Sequence, residues 1–179
     1  IEAGAMAAVL GMDAAEVFRL AADAGVEVAN VNAPGQVTVS GAVDGVLRAM
    51  ELAKERGATR VVQLDVSGAF HSRLMRPAQE GLSAAVAEAP FVEASVPVVG
   101  NSTATALRSA AELRRELVQG LTQPVLWAKS VETMAAAGVD LFVEVGPGRV
   151  LTGLVRRTLE SARVVNLNTV AAIQKAAQG

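Results

Sequence analysis

The sequence has no cysteine and no tyrosine, and it has only one tryptophan and one histidine. Without cysteine there is no disulfide frame, no thiolate zinc site and no cysteine nucleophile. With His71 as the sole histidine, a His-based metal cluster lacks its ligands. One Trp and four Phe are too few rings for a base-stacking surface. An excess of positive charge is missing too: 16 Lys and Arg stand against 18 Asp and Glu, a net charge of −2. Proteins that live on phosphate contacts are normally basic, so nucleic acid is not an expected partner. Long apolar runs are also lacking. The longest charge-free run, Val28 to Val43, is broken by Asn30, Asn32, Pro34 and Gly35, whereas a membrane-spanning helix needs about 20 mostly apolar residues. The apolar start, Ala3 to Met12, follows Glu2 without a basic stretch and does not read as a signal peptide.

What is present is a chain of 179 residues, 51% hydrophobic and 19% charged, enough to bury a real core. The expectation is a soluble, cytoplasmic protein whose partner is a small molecule or another protein, with no membrane involved. The chain opens on Ile rather than Met, which points to processing or to a longer parent.

The first third alternates between two periods. Gly4–Met12 reads as a strand. Asp13 with Glu16 three residues on is a helix-start signal, Val17, Leu20, Ala21 and Ala24 form an apolar stripe, and Gly25 ends it. Val26–Val31 and Gln36–Ser40 are strands around the turn sequence Asn32-Ala-Pro-Gly35. Val43, Val46, Leu47 and Met50 mark a second helix closed by Gly57, and Ala58–Val66 is a fourth strand. The order β-α-β-β-α-β is the ferredoxin-like pattern. Beyond the loop Ser67–Ser72, Leu74, Ala78, Leu82, Ala85 and Ala89 trace a helix, and Val96–Gly100 a strand. Ser109 and Glu112 form a capping-box signature, and a further helix runs from about Leu126 to Ala137. Leu141–Val145, Gly148–Leu159 and Arg163–Leu167 read as strand, helix and strand, with a short alanine-rich tail after them. Strands separated by helices imply parallel crossovers, and so part of a larger α/β domain.

The loop Val66-Ser-Gly-Ala-Phe-His-Ser72 is the most informative segment, because it comes after a strand, where α/β proteins place ligands. Imidazole is the side chain best suited to general-base work near neutral pH; the alternative for His71 is a hydrogen-bonded loop histidine with no task. A Gly-x-Ser-x-Gly nucleophile elbow is absent. Ser102 in Gly100-Asn-Ser-Thr-Ala104 is the nearest miss, and a cap or turn role is the alternative for it and for Ser72. Asn30 and Asn32 either face a substrate or shape their turn. Glu144-Val-Gly-Pro-Gly148 joins a strand to a helix whose N–H groups suit an anion, or is only a tight connection. Arg73, Arg76, Lys129, Arg149, Arg156 and Arg157 give the second half local positive charge, which suits an acidic partner protein or simply a solvated face.

Several segments in register resemble one family. They are Gly4-Ala-Met-Ala-Ala8; Asn32-Ala-Pro-Gly-Gln36 with Ser40-Gly41; Gly68-Ala-Phe-His-Ser72 with Leu74, Met75 and Pro77; Gln123-Pro-Val125 with Trp127; and Glu144-Val-Gly-Pro-Gly148 with Val150-Leu-Thr-Gly-Leu154. In this order they resemble the malonyl-CoA:acyl carrier protein transacylases of fatty acid synthesis, from about Gly4 to Leu167. The resemblance implies an α/β (α+β) fold, with a ferredoxin-like βαββαβ subdomain over residues 1–66. Residues 67–179 are then part of a larger parallel-sheet, hydrolase-like domain.

The resemblance also implies a malonyl transfer through an acyl-serine, with malonyl-CoA as substrate, acyl carrier protein as partner and no cofactor. His71 matches the family's catalytic histidine, and Gly120 the residue whose main-chain carbonyl orients it. Phe70 matches a position that accompanies malonyl preference, and Asn30 and Asn32 are expected on the substrate side. The family's nucleophilic serine, its malonyl-binding arginine and its oxyanion amides have no counterpart in these residues. The expectation is therefore a missing amino-terminal half that carries them, and an inactive, aggregation-prone chain without it. Competing readings are a polyketide synthase acyltransferase domain and a non-catalytic ferredoxin-like binding module with a structural histidine.

Overall fold

A computed structural model of the chain describes residues 4–178. The ends of the two expected domains, Ile1 and Gly179, lie outside the described residues. The chain divides into two compact units, one up to Ser130 and one from Val131, with the boundary inside a helix.

The first unit opens with β1 (Gly4–Leu10), α1 (Ala14–Ala24), β2 (Glu27–Ala33), β3 (Gln36–Ala42), α2 (Val43–Glu55) and β4 (Arg60–Gln63). Local chemistry sets these limits. The Asp13 carboxylate accepts the Ala15 N–H at 2.8 Å and starts α1, and Gly25 at φ 73° stops it by donating to the carbonyls of Ala21 and Ala22. The strands form one sheet in the order β2-β3-β1-β4, and every neighbouring pair is antiparallel. This is the ferredoxin-like arrangement that the element order predicts. The pleat turns Ala7 and Val9 of β1, paired with Val39 and Val37 of β3, toward one side. There they join Val17 and Leu20 of α1 and Val46 of α2 in the core, all without solvent exposure. β4 is shorter than expected, covering Arg60–Gln63 rather than Ala58–Val66.

The rest of this unit departs from the expected parallel crossovers. After the loop come a 3-10 turn (Arg73–Met75), α3 (Arg76–Glu88), β5 (Val98–Val99), β6 (Ala106–Leu107) and α4 (Ala110–Gln119). The strand expected at Val96–Gly100 is only two residues long and pairs antiparallel with β6, a strand that the residue pattern does not announce. The physical reason is the turn between them. Gly100 N–H donates to Thr105 O at 2.9 Å, and Ala104 N–H donates to Gly100 O at 2.8 Å, with Ala104 at φ 52°. The chain therefore reverses at once instead of crossing over. The capping box is present: the Ser109 hydroxyl accepts from Glu112 N, and the Glu112 carboxylate accepts from Ser109 N.

α5 (Trp127–Ala136) contains the boundary. The second unit holds β7 (Leu141–Val145), α6 (Val150–Thr158), β8 (Arg163–Leu167) and α7 (Val170–Ala176). β7 and β8 pair in parallel from Leu141 opposite Arg163 to Val145 opposite Leu167, as a strand-helix-strand unit requires. The alanine-rich tail is not a bare extension, because the Thr169 hydroxyl accepts the Ala172 N–H at 3.1 Å and starts α7. Among the described residues, no helix is long and apolar enough to cross a membrane.

The core assignment makes a testable distinction. Leu20→Ala, at a side chain with no exposure, should lower unfolding free energy by about 2–5 kcal/mol. Leu47→Ala, 44% exposed on α2, should cost about 0.5 kcal/mol. Denaturant midpoints measured at unchanged slope check both.

Candidate functional site

The loop between β4 and α3 is pinned on both sides of its histidine. Leu64 N–H donates to Met6 O at 2.9 Å, which continues the sheet edge to the loop's first residue. Ala69 is buried directly over Gly4, where an added Cβ would lie 2.6 Å from the Ala69 Cβ. Only glycine at the start of β1 lets the loop pass there. The buried Ser72 hydroxyl donates to Ala69 O at 2.7 Å and accepts the Leu74 N–H at 3.3 Å. It thus closes the loop and caps the 3-10 turn, the role expected for a turn serine. Between these anchors, His71 adopts φ 60°. A left-handed backbone costs a residue with a Cβ about 1–2 kcal/mol, a strain that persists only where the surroundings over-determine it.

The imidazole meets the end of α4. His71 Nδ1 lies 2.7 Å from Gly120 O. A carbonyl only accepts, so Nδ1 carries the proton and donates it, and in the neutral ring Nε2 keeps its lone pair. Gly120 N–H makes the last helical bond, to Glu116 O at 2.8 Å. Its carbonyl is one of the terminal acceptors that a helix leaves without an internal partner. Those carbonyls carry the partial negative charge of the helix terminus, which suits a donor ring.

Beyond Gly120 the chain is strapped to the sheet. Val31 N–H donates to Val125 O and Val125 N–H donates to Ala29 O, both at 2.8 Å, a parallel bridge centred on Asn30. Leu126 N–H donates to Asn101 O at 2.7 Å. Val125 falls in the Gln123-Pro-Val125 match, but its part there is not signalled, since only its backbone acts.

A groove of about 520 Å³ opens beside the ring, lined by His71, Arg73, Arg76, Glu27, Gln123 and Pro124 among others. Arg73 donates to Glu27 Oε1 at 2.8 Å and to Gly25 O at 3.3 Å, so its charge is paired at the rim. The lining includes neither Phe70, 38% exposed in the loop, nor Asn30 nor Asn32. The Asn32 amide donates to Thr38 Oγ1 at 3.5 Å across the β2–β3 ribbon.

Two other sequence candidates take structural parts. The Ser102 hydroxyl donates to Glu116 Oε2 at 2.8 Å and its N–H to Oε1 at 2.7 Å, so the carboxylate holds the turn between β5 and β6. At the start of α6 the chain supplies its own anion. The Glu144 carboxylate accepts from Thr152 Oγ1 at 2.6 Å, Thr152 N at 2.9 Å, Asn166 Nδ2 at 3.0 Å and Leu151 N at 3.1 Å. The amides considered for an external anion are thereby occupied. These bonds, the Thr152 hydroxyl first, hold Glu144 below the usual carboxylate range. Among the described residues, no group of three or more His, Cys, Asp and Glu could hold a metal ion.

Residues 2–179 match the acyl transferase domain family. The malonyl CoA-acyl carrier protein transacylase of Bacillus subtilis is 41% identical over 180 residues, 98% of this chain and 57% of that protein. The crystal structure of an acyl carrier protein S-malonyltransferase from Vibrio cholerae superposes with a TM-score of 0.93 at 38% identity, covering 97% of this chain and 58% of that one. A malonyl-transacylase solved in complex with its type II polyketide synthase acyl carrier protein gives a TM-score of 0.94 at 34% identity, covering 98% of this chain and 58% of that one. The chain thus spans somewhat more than half the length of the relatives it matches.

The Glu144 cluster predicts a pH dependence. A carboxylate whose folded pKa is depressed contributes stability that is complete above its unfolded value and is lost as pH falls through the folded one. Acidification below the ordinary carboxylate range should therefore loosen the second unit. Glu144→Gln should lower its stability near neutrality and flatten this acid-side slope. Thermal unfolding as a function of pH, for both chains, checks the prediction.

Proposed function

Because the chain belongs to the acyl transferase domain family, we propose that it is the histidine-bearing part of a malonyl-CoA:acyl carrier protein transacylase. The single observation that carries the reading is the His71–Gly120 hydrogen bond, which leaves Nε2 as the basic nitrogen. In the proposed reaction His71 Nε2 takes the proton of a serine hydroxyl, and the serine oxygen attacks the malonyl thioester carbonyl. The carbon–sulfur bond breaks, and the imidazolium returns its proton to the departing coenzyme A thiol. His71 then deprotonates the pantetheine thiol of acyl carrier protein, which attacks the acyl-serine. The serine leaves with the proton and is regenerated. Splitting one transfer into two similar steps is the gain of covalent catalysis. The serine belongs to the amino-terminal half expected to precede this chain, so the reading makes these residues insufficient alone.

Malonyl-CoA is a substrate in this scheme, no resident cofactor is required, and the proposed setting is the cytoplasm. Phe70, next to the base and partly exposed, is assigned as a steric filter against branched acyl groups. Asn30, at the Val125 bridge, is assigned to the substrate side together with Asn32. Similarity to a transacylase solved with a polyketide synthase carrier protein supports a second reading, transfer to a polyketide carrier. Comparing rates with fatty-acid and polyketide carriers decides between the two.

In the full-length protein, His71→Ala should slow transfer by about 10²–10⁴-fold; an undiminished rate would leave the histidine without a chemical role. Phe70→Ala should raise the methylmalonyl-to-malonyl rate ratio by about ten-fold, the scale on which an apolar pocket discriminates one carbon. Paired kcat/KM values for the two thioesters measure it.

A further inference from the structure

We propose that Gln79 is a positioning residue: it holds the end of α4 so that the Gly120 carbonyl stays aimed at His71 Nδ1 and keeps the ring in its Nδ1–H tautomer. The Gln79 amide nitrogen lies 2.9 Å from Val118 O and 3.0 Å from Thr122 Oγ1. Both amide hydrogens are thus engaged, on the two sides of Gly120 in the chain. Val118 O needs this donor. Its helical partner would be Thr122 N–H, which donates to Gln119 O at 3.0 Å instead.

Gly120 is the reason such a clamp matters. It sits at φ −57° and ψ −18°, where any residue is comfortable. Without a Cβ it has no side chain to hold the peptide plane that carries the acceptor, and the turn after it is closed only through Gln119 O, which accepts from the N–H groups of Thr122 and Gln123. Gln79 adds a restraint on that plane from the helix that follows the donor's loop. Ser72 caps the turn after His71, that turn runs directly into α3, and Gln79 lies in the first turns of α3. Donor and clamp are therefore one rigid stretch closing on the same helix end. Docking of the two helices does not hang on Gln79 alone. The far end of α3 is tied to the middle of α4 by Arg114, which donates to Ala89 O at 3.1 Å and stacks over Phe91 at 5.2 Å.

The bearing of this inference on catalysis rests on the proposed role of His71, whereas the tautomer itself does not. His71 is the one histidine of these 179 residues, and in the full-length protein labelled with nitrogen-15 histidine its pair of ring signals is the one missing from His71→Gln. With the ring neutral, the wild type should show a protonated Nδ1 and a bare Nε2. Gln79→Glu keeps the shape but turns an acceptor toward Val118 O. It should raise the Nε2–H share about five-fold, the factor set by one net hydrogen bond. Gln79→Lys keeps a donor within reach of Val118 O on a side chain one bond longer and should restore the wild-type spectrum, while the backbone amide spectrum of the β-sheet stays unchanged in both. Three results would overturn the proposal: wild-type ring signals in Gln79→Glu, equal scrambling in Gln79→Lys, or loss of the folded amide spectrum in Gln79→Glu. An undiminished transfer rate in His71→Ala is a separate outcome. It would remove the catalytic role of the ring and leave the tautomer result standing.

Discussion

One hydrogen bond, from His71 Nδ1 to the main-chain carbonyl of Gly120, organises everything around the candidate site. A carboxylate orienting a histidine would add a buried charge that must itself be paired, at a cost of several kcal/mol if it is not. A carbonyl adds no net charge and asks only that a stretch of backbone be put in the right place. That requirement shifts the burden from a side chain to the fold. α4 must end at Gly120, the chain must turn there, and the segment leaving the turn must be anchored firmly enough that the acceptor does not drift. The capping box at Ser109 begins α4, and the Glu116 carboxylate on the same helix clamps the turn at Ser102.

The histidine itself is held at a cost. Its left-handed backbone is unfavourable for any residue with a side chain, and histidine is among the few residue types enriched there. The strain persists because Ala69 is locked over Gly4 and Ser72 bridges the loop ends. With Ala69 and Ser72 fixed, Phe70 and His71 are left to connect them. Stability is given up locally so that the ring is presented to a groove rather than folded into the loop.

Much of the small sheet is legible in the sequence because its signals are local. Asp13, Gly25 and the stripe Val17, Leu20, Ala21 and Ala24 mark α1 to within a residue, and β7 and β8 fall where their apolar runs place them. The β5–β6 hairpin is hidden because Val96–Gly100 has the composition of a buried strand. The deciding feature, a reversal through Ala104 at positive φ, leaves no strong mark in residue types. The Glu144 loop shows the opposite failure. Its glycines and helix start advertise an anion site, yet the anion is the loop's own carboxylate, eight residues from Thr152. At the candidate site, His71 is conspicuous as the sole histidine. Gly120 enters only through the family resemblance, because a residue acting through its carbonyl leaves no side-chain signature.

The sheet is also more than a neighbour of the site. In the order β2-β3-β1-β4, β2 is an edge strand, and an exposed edge is normally a liability for stray pairing. Here the free edge of β2 takes Val125 through two backbone hydrogen bonds. That pairing moors the segment leaving Gly120. A full added strand would bury the segment in sheet geometry and leave no room for the turn that aims the carbonyl. A single bridge at Asn30 supplies an anchor five residues from the acceptor and lets the intervening chain curve. The edge strand and the helix end therefore answer the same demand from opposite sides, the fixed placement of one carbonyl oxygen.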